Sequence, residues 1–436
     1  MRETFYIAPM EINRVEWRHS TNIYEVNLRQ YTAEGTINAF AKELPRLREM
    51  GVETLWFMPL TPISKERMKG TMGSYYACSD FTSVNPEFGS LDDFRLLVKE
   101  AHALGFKVIL DWVANHTGWD HVWTKFSPDF YEKDPATGTF KAASGMDDII
   151  ELDFRNPALV EAMIECMQFW IDECDIDGFR CDLAFWVELD FWKLARPRLD
   201  AVKPLLWLGE LDELEHPEYM SVFDASYTWT WMHKTEDFYK KHLPISILDS
   251  VLIRYNQSAG STSIPAYFTS NHDENSWNGT EYEKYGDLAL GLAVFSCTWN
   301  GMPLLYSGQE MPNKKRLKFF DRDPIEWTGE YALAPFYKKL LNLHSTHPAL
   351  RAGDSEVGTF RLKTEAEEKI FAFLRKNGDA EVLVLLNFSG GEPVRFHVQD
   401  YPLGAHYTEL FTDAKKKVDG FTEFVLEPWS WQVWVK

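Results

Sequence analysis

Positive charge is in short supply in this chain. Lys plus Arg is 45 against 66 Asp plus Glu, giving a net charge of -21. Such a surface repels phosphate backbones and anionic headgroups, which argues against nucleic acid and membrane partners. Cysteine is scarce too. Cys78, Cys166, Cys174, Cys181 and Cys297 are too few and too dispersed for a disulfide framework, and no Cys-x-x-Cys pair suggests zinc, so they read as free thiols. No run of eighteen apolar residues offers a membrane span. The N-terminus, MRETFYIAPMEINRVEWRHS, lacks the continuous apolar stretch of an export signal, so the expected location is cytoplasmic, or periplasmic if a signal peptide has been removed. A Gly-rich phosphate turn and low-complexity tracts are also missing, which disfavours a doubly wound nucleotide fold and disorder.

What is present supports a large core: hydrophobic residues are 45% and aromatics 15% of 436 residues. Seventeen Trp and eighteen Tyr supply flat apolar faces on which a sugar ring can lie, although most of them must fill core. Apolar β-rich runs alternate with helical patterns from the start. NIYEVNLRQ reads as a strand, INAFAKELPRLREM as an amphipathic helix, GVETLWFMP as a second strand. SLDDFRLLVKEAHALG then forms a helix capped by Ser90 and stopped by Gly105, followed by the strand FKVILDWVANH. DIDGFRCD, PLLWLGEL, SVFDASY, PAYFTSNHD and GMPLLYSG continue the pattern to eight strands. Eight βα units predict a (β/α)8 TIM barrel.

Spacing gives an independent check, because one βα unit is about 30 residues. Asp182 and Glu210 lie 28 positions apart, one unit; Glu210 and Asp273 lie 63 apart, two units. Asp111 and Asp182 are 71 apart, which implies a short lobe inserted after the third strand, at residues 117–150. The barrel is expected to occupy residues 1–344. After about Ser345 the helical period stops, and β-runs around Asn377-Gly378 and in FTEFVLEPWSWQVWVK predict a C-terminal antiparallel β-sandwich domain over 345–436.

The stretch DIDGFRCDLAFWV, Asp175 to Val187, puts an arginine among three aspartates where a barrel strand should be apolar. In this architecture strand ends converge on one cleft. Asp111, Asn115 and His116 follow strand three; Arg180 and Asp182 end strand four; Glu210 ends strand five; Asn271, His272 and Asp273 end strand seven. Arg180 and Asp182 leave the same face of their strand, so the guanidinium is expected to keep Asp182 ionised as a nucleophile. Glu210, if held away from the arginine and desolvated, would keep its proton and act as general acid. Two carboxyl groups with split protonation are what glycoside cleavage requires.

Four motifs in order then resemble the α-amylase family of retaining glycoside hydrolases: DWVANH after strand three, GFRCD, GEL and FTSNHD. GSYYACSDFTSVNPEFGS and GMPLLYSGQE extend the resemblance over nearly the whole chain. It implies hydrolysis of α-1,4-glucosidic bonds in starch-derived glucans or maltooligosaccharides, without an organic cofactor. It implies Asp182 as nucleophile, Glu210 as acid/base and Asp273 as the carboxylate that stabilises the transition state. Arg180 orients Asp182, His116 and His272 bind sugar hydroxyls, and Tyr76 stacks on the sugar being cleaved. Asp111 braces Arg180. Asn115 matches the family's calcium-binding asparagine, but Phe185 and Trp186 replace the Lys-His pair that many members use on the leaving-group side and around calcium, which makes a calcium site doubtful and that subsite more hydrophobic. The short lobe implies an open cleft and endo action, unless other loops block one end.

Three alternatives share these residues. A transglycosylase would pass the glycosyl unit to another sugar. A metal-dependent hydrolase would use Asn115, His116, His272 and Asp273 as ligands, although adjacent strand residues face opposite ways. A non-catalytic carbohydrate-binding protein could use the same fold. The sequence leaves the oligomeric state open.

Overall fold

A computed structural model describes residues 12–258, 263–399 and 403–436. Of the twenty N-terminal residues that lack the pattern of an export signal, the first eleven lie outside them. The first ten strands are β1 (Ile23–Val26), β2 (Thr54–Phe57), β3 (Lys107–Trp112), β4 (His116–Gly118), β5 (Ile149–Glu151), β6 (Gly178–Cys181), β7 (Leu206–Asp212), β8 (Ala225–Tyr227), β9 (Ile264–Tyr267) and β10 (Met302–Tyr306). All but β4 and β5 are parallel members of one closed barrel, in the order β1-β2-β3-β6-β7-β8-β9-β10. β4 and β5 pair antiparallel, His116 with Glu151 and Gly118 with Ile149, and so tie off the lobe between them.

The barrel strands are apolar on both faces because helices cover the outside and side chains fill the inside. Alternate residues divide accordingly. Ile23, Trp56, Ile109, Leu208, Ala266 and Leu304 form an inner cluster. Tyr24, Leu55, Phe57, Val108 and Phe179 pack outward against helices such as Leu91–Ala103, which Ser90 and Asp93 start with a reciprocal capping box.

Two elements differ from the sequence reading. The strand expected over 22–30 stops at Val26, and Leu28–Tyr31 turns into a short helix in which Arg29 is buried against Glu87 at 2.9 Å. The helix expected over 37–50 is three pieces, Ile37–Phe40, Ala41–Glu43 and Leu44–Met50. Pro45 has no N–H to give to the preceding turn, so the last piece starts afresh around it.

The helix Ala334–Thr346 leads into β11 (Gly358–Leu362), β12 (Ile370–Asn377), β13 (Ala380–Asn387), β14 (Val394–Phe396), β15 (Gly404–Glu409), β16 (Lys415–Asp419), β17 (Phe424–Leu426) and β18 (Trp431–Val435). Six of these form an antiparallel sheet ordered β11-β12-β13-β18-β15-β16, faced by the pair β14-β17. The β12–β13 loop is Gly378-Asp379, one position on from the expected turn, and Gly378 has φ +56°. Period-two alternation decides what each face meets. Ala372, Leu374, Leu383 and Leu385 pack with Val394, Phe396 and Phe424 inside the sandwich. Phe371 and Phe373 turn to the barrel, where Phe373 lies edge-on to Trp299 at 4.9 Å.

All five cysteines are free thiols. No helix among the described residues is long and apolar enough to cross a membrane.

One buried carboxyl away from the cleft makes the fold pH-sensitive. Burial pushes Glu281 up to about 7, only partly offset by hydrogen bonds from Thr269 Oγ1, at 2.6 Å, and Gln309. A carboxyl raised in the folded state adds stability below its unfolded pKa and loses it as pH rises toward the folded value. Glu281→Gln is therefore expected to stabilise the protein at pH 8 relative to pH 5, by up to about 3 kcal/mol. Denaturant melts at the two pH values test this, and an equal change at both would contradict it.

Candidate active site

The charges of DIDGFRCDLAFWV separate to the two ends of β6. At its start, Asp177 is buried, bonded to His102 Nε2 at 2.7 Å and near Lys107 and Lys203 at 3.3 and 3.1 Å, while Asp175, at φ +55°, ends the preceding helix. These two aspartates brace the barrel floor. Only Arg180 and Asp182 emerge at the opposite end, where the cleft opens.

Arg180 is fully buried and holds three carboxylates at once. Its Nη1 donates to Asp111 Oδ1 at 2.8 Å and Asp182 Oδ1 at 3.0 Å, and its Nη2 lies 2.8 Å from Glu210 Oε2 in an ion pair without hydrogen-bond alignment. Its Nε donates to Tyr227 Oη at 3.2 Å. Glu210 is thus not held away from the guanidinium, as the sequence reading required. Strand alternation explains why: Glu210 shares the inner face of β7 with Leu206 and Leu208, and Leu208 pairs with Arg180 of β6. Burial is what separates the two groups. It pushes Glu210 up to about 7 and Asp182 up to about 6, with Arg180 opposing in both cases. Glu210 Oε2 also accepts the Leu183 amide at 2.8 Å, and Asp182 Oδ2 makes no hydrogen bond among the described residues.

Asp111 sits at the end of β3 with no side-chain exposure. Besides Arg180 it accepts Trp56 Nε1 at 3.2 Å and Tyr76 Oη at 3.1 Å. Tyr76 continues the network to His272 Nε2, 2.7 Å away, and its ring lies near-parallel to those of His272 and Phe319, at 5.5 and 6.1 Å, the three rings forming a triangle. His272 Nδ1 meets buried Glu25 of β1 at 2.5 Å, and Nε2 lies 3.3 Å from Asp273. Burial disfavours the imidazolium, but Asp273 and Glu25 outweigh it and raise the His272 pKa well above normal. A doubly protonated His272 donates on both sides, which leaves the Tyr76 hydroxyl free to donate to Asp111. Asp273 itself, its side chain 36% exposed at the cleft, is raised by desolvation, which His272, Arg180 and Trp277 together outweigh, for a net downward shift.

His116 opens β4 and lines the cleft, with burial lowering it to about 4, and its Nε2 has no partner among the described residues. Asn115 is buried beside it, Nδ2 at 3.4 Å from His116 Nδ1. Calcium takes about six to eight oxygen ligands. No group of three or more His, Cys, Asp or Glu side chains among the described residues is placed to hold a metal ion.

Tyr76, His116, Asp182, Glu210 and Asp273 line one cleft of about 280 Å³. Several residues there went unread in the sequence. Glu25 and Trp56 stand on apolar strands, and Glu25 was legible as the one charge in IYEV. Lys69, Asp148, Phe319 and Phe320 come from loops, and Trp277 from a π-helical turn, with no periodicity to mark them. Phe185, one of the two residues replacing the Lys-His pair, stacks on His216 at 4.4 Å.

The chain matches the family model for the alpha amylase catalytic domain over residues 19–137 and 124–328, and that for the alpha amylase C-terminal all-beta domain over 363–434. It is 24% identical to Alpha-amylase 2 of Dictyoglomus thermophilum, covering 94% of this chain and 76% of the relative. Its fold is similar to a noncanonic maltogenic alpha-amylase from Thermotoga neapolitana, with a TM-score of 0.87, 27% identity, and 96% and 100% of the two chains covered. An alpha-amylase from Lactobacillus plantarum gives 0.85, 26%, and 96% and 99%.

Proposed function

The chain belongs to the alpha-amylase family and is a glycoside hydrolase, and from that premise we propose that it cleaves α-1,4-glucosidic bonds of starch-derived glucans or maltooligosaccharides with retention of configuration, using Asp182 as nucleophile and Glu210 as acid/base. The observation that carries this reading is the Arg180 fork. One guanidinium grips both Asp182 and Glu210, which sets the two carboxyls across a short span, and leaves Asp182 Oδ2 without a partner. Glycosidases that form a covalent intermediate keep their carboxyls about 5 Å apart.

In the first step Glu210 gives its proton to the glycosidic oxygen as Asp182 Oδ2 attacks the anomeric carbon, so the aglycone leaves as an alcohol and a glycosyl ester forms. In the second, Glu210 takes a proton from water, whose oxygen displaces Asp182. Positive charge builds on the sugar in the transition state of each step. Asp273, kept ionised by His272, stabilises it. His116 and His272 bind hydroxyls, Tyr76 presents its ring to the sugar, and Asp111 with Asn115 support the site from behind. The chemistry uses no organic cofactor. Incubation with starch, pullulan and maltooligosaccharides, followed by NMR, tests the reading: the α-anomer should appear first, and initial release of the β-anomer would contradict it.

The same electrostatics set the pH dependence. The nucleophile must be ionised and the acid protonated, and burial places Asp182 at about 6 and Glu210 at about 7. The plot of kcat/KM against pH should be a narrow bell, its acid limb lost as the site protonates and its alkaline limb lost as Glu210 ionises. Because the pair titrates together, the two limbs belong to the site as a whole. A plateau extending from pH 5 to 9 would be inconsistent with these burial-driven shifts.

A further inference from the structure

We propose that the corner formed by Lys69, Asp148, Trp277 and Phe320 is a terminal subsite that receives the non-reducing end of the glucan, so that the enzyme works from chain ends and releases short sugars. This rests on the α-glucan hydrolase reading above and adds a direction to it.

Three segments interlock there. The loop after β2 reaches the lobe through Lys69 Nζ, 2.7 Å from Asp148 and 3.0 Å from Asp147. It reaches the loop after β10 through Thr71, whose N and Oγ1 donate to Asp321 Oδ1 at 2.9 and 2.6 Å, and through the Met72 amide, which donates to the Phe320 carbonyl at 2.9 Å. Between these ties Gly70 has φ +62°, and a Cβ there would lie 2.5 Å from Phe320 Cβ. The two backbones touch, and no sugar passes between them. The wall is therefore continuous from lobe to barrel.

The fourth part is aromatic. Trp277 is 52% exposed and lies 5.4 Å from Phe319 and 5.7 Å from Phe320, ring to ring. It sits on a π-helical turn, Glu274–Asn278, an irregularity that often marks functional positions. Asn275 pins that turn to the loop after β10, accepting from Leu317 N at 2.8 Å and donating to Lys315 O at 3.1 Å. An exposed indole beside a Lys-Asp pair offers a flat apolar face with polar groups at its rim, which suits a pyranose ring.

The proton chemistry orients the chain. Glu210, held by the Leu183 amide, delivers its proton to the departing oxygen, so the leaving group lies on the Glu210 side of the scissile bond. Phe319 stacks on Tyr76, whose ring faces the sugar that stays on Asp182, which puts the wall at the glycone end. The cleft volume of about 280 Å³ is near the lower limit for ligand clefts, about 300 Å³. That suits a short segment.

The test compares maltoheptaose with a free non-reducing end against the same sugar blocked there by a 4,6-ethylidene group, with product sizes followed by chromatography. The wild-type protein should release one short sugar from the first turnover, and cleave the blocked chain at least about tenfold more slowly. Lys69→Ala should restore cleavage of the blocked chain and lengthen the first products, and Trp277→Ala should raise KM for maltotriose more than it lowers kcat. Equal rates on both sugars with mixed product lengths would overturn the subsite while leaving α-glucan hydrolysis intact. Cleavage of neither would sink the hydrolase reading and this one with it. The wild-type comparison decides even if a variant fails to fold.

Discussion

Asp182→Asn is expected to lower kcat/KM on maltooligosaccharides by at least about 10⁴-fold while leaving the protein folded. The amide has nearly the shape of the carboxylate but cannot form the glycosyl ester. Stability should hold or rise, because three buried carboxylates around one guanidinium repel one another and the substitution removes one of them. Loss of activity together with an unchanged or higher melting temperature separates a chemical role from a structural one. Asp182→Gly extends the test. With the carboxylate gone, added azide can attack the anomeric carbon while Glu210 protonates the leaving oxygen, giving a glycosyl azide of inverted configuration. If azide neither restores turnover nor yields that product, Asp182 is not the nucleophile.

Arg180→Met is expected to be the most damaging substitution for the fold at the cleft. It leaves Asp111, Asp182 and Glu210 buried without their common cation, and breaking a buried pair in this way costs about 3–5 kcal/mol. The sign of its pH dependence follows from the carboxyls. Without the guanidinium, burial raises them further, so they bind protons in the folded state that the unfolded chain releases. The variant's stability should therefore be best preserved near pH 5 and fall as pH rises. Activity that remains should need a higher pH to ionise Asp182, moving the acid limb of the rate profile upward, an effect that simple unfolding does not produce. Arg180→Lys should rescue little, since a single ammonium cannot reproduce a fork that meets Asp111 and Asp182 through Nη1 and Glu210 through Nη2. Denaturant melts and pH-rate profiles of the two variants check both points.

The strands of the barrel were legible because parallel strands buried on both faces leave short, bounded apolar runs, each followed by a helical period. Asp111, Arg180, Asp182, Glu210 and Asp273 stood out against those runs, and the βα spacing placed them at equivalent heights. The segment 37–50 is helical throughout, as its apolar period predicts, but tightens to a 3-10 turn over Ala41–Glu43 ahead of Pro45, whose missing N–H the period does not register. The condition that Glu210 stand clear of the arginine is not met for a different reason: strand alternation puts Glu210 on the inner face but does not give the register of the neighbouring strand, which pairs Arg180 with Leu208 and brings its guanidinium within 2.8 Å of Glu210. Likewise, three aspartates in one stretch look alike in sequence, yet Asp177 bonds His102 at the barrel floor and Asp182 serves the cleft.

Sequence alone was enough to determine the barrel, the sandwich and the family of this protein, since periodicity and ordered motifs are local properties of the chain. Tertiary structure decided how the charges share Arg180, that His272 is held between Glu25 and Asp273, and which loops wall the cleft at Lys69 and Phe320. Those depend on groups brought together from distant segments, where burial and Coulomb interactions act through space and leave no trace in the order of residues.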